Sequence, residues 1–353
     1  MMGLTLVPRT KVSRLREVVT PLIAFAAALV IAGIVLKAMG KSLMVALQVY
    51  IIEPLTTSWG LQEVILKATP LTLIAIGLIF AIRANRWNIG AEGQYVIGGL
   101  CGGAVAIFAH GWGGFWVLPL MLAAGVAGGV AYGLVPGVLR NRFGISEILS
   151  SLMLVYVAEL LLDFLVRGPW RDPKAFNFPK SVNFDAAATL GPIVEGGKLH
   201  WGVMVAVLAV VVALVMLGRS LFGFAVSATG EAPRAANFAG FNDRVLTLQV
   251  FAISGGLAGL AGVIEVSANI GQLQPSISQG YGFTAIIVAF LGRLNPFGAL
   301  IAAVVLSMLL IGSETAQIML KLPFDMTRAF LGLLLLCVLA GEALTRFRLV
   351  RKP

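Results

Sequence analysis

A carboxylate, two amides and two glycines stand together between two long apolar stretches, in the run from Arg86 to Gln94. The polar members are Asn88, Glu92 and Gln94, whose side chains can exchange hydrogen bonds with a polar solute. Polar and backbone-loosening residues are costly at the depth of a lipid bilayer, so they usually mark a functional path. The alternative for Glu92 is structural, because its charge would stabilise the N-terminal end of a helix that begins near Gly93.

A second polar stretch runs from Glu265 to Gln279 and leads into Gly280-Tyr281-Gly282-Phe283. The amides of Asn269 and Gln272 could hydrogen-bond a hydroxyl-rich or heterocyclic solute, and the ring of Tyr281 could stack against one. The same residues could equally form a loop folded over the apolar spans, since irregular backbone at this depth is tolerated when protein buries it. The candidate substrate path therefore consists of Asn88, Glu92, Gln94, Asn269, Gln272 and Tyr281.

Other reactive residues form no recognisable catalytic or metal site. Gly40-Lys41-Ser42 resembles the end of a phosphate-binding loop, but Val35 stands where the first glycine is required. His110 and His200 are too few for a proton relay or a metal ligand set. We therefore expect no catalytic residue and no metal site in this chain.

The composition is that of an integral membrane protein, because 59% of the residues are hydrophobic, 12% are charged and the mean hydropathy is +0.95. The net charge of +10 does not indicate a nucleic-acid partner, since the basic residues are scattered through short connectors between apolar stretches. Cys101 and Cys337 each lie in an apolar stretch, so no disulfide framework is expected.

A helix needs roughly 20 apolar residues to cross a hydrocarbon core of about 30 Å, and the chain divides into ten such stretches. They lie at 18–39, 62–82, 94–109, 115–139, 145–166, 200–217, 245–264, 281–292, 297–318 and 325–343, and the third and eighth are short enough to be re-entrant. The predicted fold is an all-α polytopic membrane helix bundle that forms a single transmembrane domain over residues 1–353.

The distribution of basic residues predicts how the chain is oriented. Placing the N-terminus in the cytoplasm puts sixteen of the 26 basic residues on that side, which agrees with the positive-inside bias. Both termini are then cytoplasmic. The connector 168–199 becomes external, and its length and aromatic residues suggest a docking surface for an external protein.

The connector 218–244 becomes cytoplasmic. Pro233 and Gly240 predict the start and end of a short surface helix within it. Because so short a helix is marginal alone in water, we expect it to pack on its own spans or on a soluble partner.

Glycines recur at helical spacing in two of the predicted spans, at Gly125, Gly129, Gly133 and Gly137 and at Gly255, Gly259 and Gly262. Small residues let membrane helices approach closely. We interpret these glycines as packing positions and assign them no site role.

At this point several motifs together indicate a family. They are Lys67-Ala68-Thr69-Pro70, Asn88-Ile89-Gly90-Ala91-Glu92-Gly93-Gln94, Ser146-Glu147-Ile148, and Gly280-Tyr281-Gly282-Phe283 followed by Leu291-Gly292-Arg293. With them the chain resembles, over nearly its whole length, the membrane-spanning permease subunits of ATP-binding-cassette (ABC) importers for nucleosides and simple sugars. It departs from the family pattern at Ala232, where an asparagine is expected, and at Thr284, where an aspartate is common.

The resemblance implies that the segment from Gly230 to Gly240 couples the permease to a separate cytoplasmic ATPase. The coupling residues carried over are Gly230, Glu231, Pro233, Arg234, Ala235, Ala236 and Gly240. It also implies a second permease subunit, identical or homologous, and an external solute-binding protein. ATP and Mg²⁺ would then be bound by the partner ATPase, and this chain would hold no cofactor.

The implied mechanism is alternating access in the inner, or plasma, membrane of a bacterium, with the chain itself non-catalytic. Two alternatives stay open. An ion-coupled secondary transporter would also show glycine-broken spans, and it would use acids such as Glu159, Asp163 and Glu314. A permease for another small solute, such as branched-chain amino acids, would share the same architecture.

Overall fold

The computed structural model describes residues 4–8, 14–194, 196–323 and 325–351. Its helices are α1 (Arg14–Ala38), α2 (Leu43–Leu47), α3 (Glu53–Thr56), α4 (Ser58–Arg83), α5 (Ala91–Phe108), α6 (Val117–Phe143), α7 (Glu147–Arg167), α8 (Gly202–Arg219), α9 (Leu221–Glu231), α10 (Pro233–Phe238), α11 (Asp243–Ile264), α12 (Tyr281–Leu291), α13 (Pro296–Met319) and α14 (Asp325–Arg346). π-Helical segments occupy Gln48–Ile52 and Glu265–Ile270, and 3₁₀ turns occupy Ala186–Ala188 and Pro275–Ile277.

Seven helical stretches among the described residues are long and apolar enough to cross a membrane: α4, α5, α6, α7, α8, Asp243–Ile270 and α13. Shorter apolar helical stretches lie at Leu22–Ala38, Met44–Thr56, Pro275–Leu291 and Arg328–Gly341. The chain is therefore a multi-pass helical membrane protein, as the sequence predicts. Each of the ten predicted spans coincides with a helix.

Two features were not predicted. The segment from α2 through the π-helix to α3 adds helix between the first two predicted spans. Strands β1 (Leu4–Pro8) and β2 (Phe347–Arg351) also pair antiparallel, with Leu4 opposite Arg351. Arg9, Lys11 and Lys352, which entered the orientation argument, lie outside the described residues.

The chain forms two compact units, residues 1–61 with 306–353 and residues 62–305. In the first unit α1 packs along α14. There Gly312 of α13 meets the unpredicted segment so closely that a Cβ on it would lie 2.5 Å from the Cα of Tyr50.

The second unit is centred on α5, α6 and α11, which pack directly on one another. The glycine spacing explains this packing. A Cβ on Gly129 of α6 would lie 2.2 Å from the carbonyl oxygen of Gly255 on α11. A Cβ on Gly259 of α11 would lie 2.3 Å from the carbonyl oxygen of Gly125 on α6. The predicted packing role of these glycines is confirmed, and the two backbones touch without intervening side chains.

Candidate functional site

The turn between α4 and α5 contains two buried amide side chains that hydrogen-bond each other. Nδ2 of Asn88 donates to Oε1 of Gln94 at 2.8 Å and to Oγ of Ser254 at 2.9 Å, and Nε2 of Gln94 returns a bond to Oδ1 of Asn88 at 3.0 Å. Asn88 is 2% exposed and Gln94 is 1% exposed. These amides satisfy one another, and neither side chain faces the polar cavity described below.

Arg86 precedes these amides and connects the turn to the start of α11. Its guanidinium forms an ion pair with Asp243, and its Nε donates to Oγ1 of Thr247 at 3.0 Å. Nearby, Nε of Arg83 donates to the carbonyl oxygen of Leu294 at 2.9 Å. The charges of this turn therefore fix backbone positions among α4, α11 and the segment before α13.

Glu92 is fully buried in the first turn of α5, and it caps a different helix. Its Oε1 accepts the backbone N–H of Gly280 at 2.9 Å, and its Oε2 accepts that of Gly282. These N–H groups belong to the start of α12, where an α-helix has no intrahelical partners for them. A Cβ on Gly282 would lie 2.2 Å from the Glu92 nitrogen, so only glycine permits this approach.

Ser278 adds a further contact to this arrangement. Its Oγ lies 2.8 Å from Oε1 of Glu92 and 2.7 Å from Oε1 of Glu159 on α7. Because a hydroxyl carries one hydrogen, Ser278 can donate to only one of these carboxylates at a time. Further along α7, Asp163 and Arg167 form an exposed ion pair with N–O distances of 2.7 and 2.8 Å.

A polar cavity of about 390 Å³ lies beside residues 280–282, where the backbone N–H groups of Gly280 and Gly282 bind Glu92. Its walls come from the start of α4, the connector before α8, the π-helical turn after α11 and the start of α12. Its lining residues are Glu63, Leu66, Lys67, Leu190, Pro192, Gly197, Lys198, His200, Glu265, Ala268, Asn269, Gln279 and Tyr281.

Two of the predicted path residues line this cavity. Asn269 donates from Nδ2 to Oε2 of Glu265 at 2.8 Å, and Tyr281 packs its ring edge-on against Tyr95 at a centroid distance of 5.9 Å. Gln272 lies outside the lining and donates instead to Oε1 of Gln274 at 3.2 Å. Of the six predicted residues, the structure thus places three in a buried group around α5 and two at the cavity, with Gln272 in neither group.

The connector 168–199 closes one side of the cavity. Backbone N–H groups of Leu190 and Ser181 donate to the carbonyl oxygens of Ser267 and Leu273 at 3.1 and 2.9 Å. Lys198 donates from its backbone N–H to Oε1 of Gln62 at 2.9 Å and from Nζ to Oε1 of Glu63 at 2.6 Å. The contacts of Lys198 join residues far apart in sequence, which is why the sequence did not assign Glu63 or Lys198 to a site.

At the other end of α4 lie α9 and α10, within the predicted coupling connector. Gly230 of α9 meets the end of α4 so closely that a Cβ on it would lie 1.8 Å from the carbonyl oxygen of Arg83. Helix α10 begins at Pro233 and is followed by Gly240, whose φ of +89° favours glycine. The short helix predicted from these two residues is confirmed.

Helix α10 is open on nearly all sides. Ala236 is buried at 3% exposure, whereas Arg234 and Ala235 are exposed and Phe238 is 95% exposed. The segment is anchored by the ring of Phe241, which lies 5.9 Å from that of Phe224 on α9. This arrangement offers the exposed aromatic ring of Phe238 on a short helix that buries Ala236.

Comparison with known proteins adds a family match over most of the chain. Residues 60–339 match the family described as branched-chain amino acid transport system / permease component. The glucose ABC transporter permease protein TsgB13 of Haloferax volcanii is 34% identical over 98% of this chain and 93% of its own length. The guanosine ABC transporter permease protein NupP of Bacillus subtilis is 28% identical over 94% and 96%, respectively. No solved structure matches the chain.

Proposed function

Because this chain belongs to the family of branched-chain amino acid transport system permease components and is a permease component of an ABC importer, we propose that it moves a nucleoside or simple sugar by alternating access. The solute classes are those in the names of similar permeases. In this proposal the chain is non-catalytic and lies in the inner membrane of a bacterium. A partner ATPase binds ATP and Mg²⁺, and a second permease subunit completes the pathway.

The observation that carries the proposal is the exposed α10 helix at the end of α4. A partner that hydrolyses ATP must push on a surface that is accessible and also rigidly joined to the membrane helices. Phe238 supplies the accessible aromatic ring, and the contact of Gly230 with the backbone of Arg83 supplies the rigid joint. Aromatic residues are enriched among the residues that dominate binding at protein interfaces.

The cavity end supports the remainder of the proposal. Glu63 and Arg83 are separated by twenty residues of α4, which at 1.5 Å per residue is about 30 Å, close to the thickness of a bilayer core. The cavity and α10 therefore lie at opposite ends of a spanning helix. In the connector beside the cavity, Phe176 and Phe178 are 95% and 71% exposed, which supports a docking surface for an external solute-binding protein.

The test is co-purification of the tagged chain from its native membrane, comparing wild type with Ala235→Trp and Phe238→Ala. We expect a soluble ATPase to be retained by the wild type and lost from both variants. Asn183→Ala, at an exposed position of the connector 168–199, is the matched control, and this variant should retain the ATPase. Retention of the ATPase by both α10 variants would refute the coupling assignment.

A second candidate solute follows from the family description, which names branched-chain amino acids. ATP-dependent uptake of leucine, but not of glucose or guanosine, would favour it. Uptake that continues without the ATPase and collapses with the ion gradient would instead favour a secondary transporter.

A further inference from the structure

We propose that the cavity bounded by Glu63, Lys67, Lys198, Glu265, Asn269 and Tyr281 is a solute-binding chamber for an uncharged, hydroxyl-rich molecule, such as a monosaccharide or the ribose of a nucleoside. The inference rests on the proposed function and specifies its site and solute chemistry.

The dimensions of the chamber agree with a solute of this size. Its volume of about 390 Å³ is within the range of about 300–1,000 Å³ typical of small-molecule sites. Asn269 and Gln279 are exposed at its wall, so a solute could enter from outside the bundle. Glu265, in contrast, is only 6% exposed and lies deeper.

The charges of the wall favour an uncharged solute. Two glutamates and two lysines line the cavity, so their formal charges cancel. Glu63 is already paired with Lys198, and one oxygen of Glu265 already accepts the amide of Asn269. A charged solute would have to compete with these pairings. A hydroxyl group of the solute can instead donate to the remaining lone pairs of these carboxylates and to the amide oxygen of Asn269, so it need not displace either pairing.

Hydrogen bonds outside the chamber fix the position of its lining residues. Glu92 fixes the backbone of residues 280 and 282 and so positions Tyr281 and Gln279 at the wall, without lining the cavity itself. His200, also in the lining, is 2% exposed, and its Nδ1 accepts the N–H of Gly202 at 3.1 Å. Nε2 of His200 must then carry the hydrogen in the neutral ring, and it is a buried donor without a partner among the described residues.

The experiment uses the complete transporter in vesicles of its native membrane and measures ATP-dependent uptake of glucose, guanosine and leucine. Glu265→Gln and Asn269→Ala are expected to raise the KM for the transported hydroxylated solute more than tenfold with a smaller change in kcat. Gly218→Ala, at the end of α8 where a Cβ meets no atom within 4 Å, is the control and should leave both constants unchanged.

Thiol labelling provides a measurement of binding that does not require transport. A membrane-impermeant thiol reagent should modify an Ala268→Cys variant more slowly when the transported sugar or nucleoside is present. An Ala186→Cys variant, on the exposed 3₁₀ turn of the connector, should be labelled at the same rate with and without solute.

The outcomes separate the two claims. If the wild type takes up glucose or guanosine, while the cavity variants keep a normal KM and labelling of Ala268→Cys is not slowed, the chamber is refuted and the proposed function stands. If uptake is confined to leucine, the solute chemistry is refuted. If the wild type shows no ATP-dependent uptake of any of these solutes, the proposed function fails and the inference fails with it.

Discussion

Asn88 and Gln94 exchange two side-chain hydrogen bonds, of 2.8 and 3.0 Å, inside the turn that leads into α5. Removing Asn88 takes both of these bonds from the Gln94 amide, and removing Gln94 leaves Oδ1 of Asn88 without its donor while Nδ2 keeps Ser254. An unsatisfied buried polar group costs about 1–3 kcal/mol. We therefore expect Asn88→Ala and Gln94→Ala each to lower the midpoint of thermal unfolding of the purified chain.

The double variant Asn88→Ala, Gln94→Ala should lose less than the sum of the two single losses, because the second change removes a group that the first has already orphaned. Asn183→Ala, at an exposed position, should not change the midpoint. Fully additive losses would show that the two amides do not act as a pair.

Glu92→Gln should loosen the start of α12. A glutamine amide offers one acceptor oxygen, whereas Glu92 accepts the N–H groups of Gly280 and Gly282 with both of its oxygens. We expect faster backbone hydrogen exchange at residues 280–284 and a loss of stability of about 1–3 kcal/mol. Asp163→Asn removes an exposed ion pair and should cost less than about 1 kcal/mol. Unchanged exchange at these amides would contradict the capping role.

Gly230→Ala should weaken the link between α10 and the membrane helices. The added Cβ would lie 1.8 Å from the Arg83 carbonyl oxygen, so α9 must move, at a cost of about 1–3 kcal/mol for overpacking. We expect at least a tenfold loss of the co-purified ATPase. Gly218→Ala is the matched control, since a Cβ there meets no atom within 4 Å. A variant at Gly230 that retains the wild-type amount of ATPase would argue against the rigid joint.

His200 should make the stability of the cavity region depend on pH. Burial lowers the pKa of His200 from 6.5 to about 4, so the unfolded chain takes up a proton at a higher pH than the folded chain does. The stability contributed by the neutral ring is complete above about pH 6.5 and is lost as the pH falls toward about 4. Thermal unfolding measured between pH 7 and pH 4 should show a smaller decline for His200→Gln than for the wild type. Asn183→Ala, an exposed substitution that adds or removes no titratable group, should decline as the wild type does, and equal declines for all three proteins would refute the assignment.

Local sequence was sufficient for most of the architecture. Apolar length located the helices α1, α4 to α8 and α11 to α14, because a bilayer sets a minimum span that few other structures satisfy. The helix pair α2 and α3 was missed because each is shorter than a span and they are joined by a π-helical segment. Pro233 and Gly240 located α10 through backbone preferences that need no tertiary information.

The site was harder to predict, since its contacts join distant parts of the chain. Glu92 was predicted to stabilise the helix that begins near Gly93, and it does lie in the first turn of α5. The N–H groups that it accepts, however, lie 188 and 190 residues away, at the start of α12. Lys198 and Glu63, which meet at the cavity, are likewise 135 residues apart. Spacing arguments cover only neighbours within one helix, so pairs of this kind become visible only once the chain is folded.

The backbone contact between α6 and α11 also restricts how the molecule can change shape. Where Gly129 meets Gly255 there is no layer of side chains that could change rotamer and let one helix slide along the other. Sliding would have to separate the backbones, with loss of van der Waals contact along the whole seam. We therefore expect α6 and α11 to act as the stationary frame of the working transporter, while its moving surfaces are those where longer side chains meet.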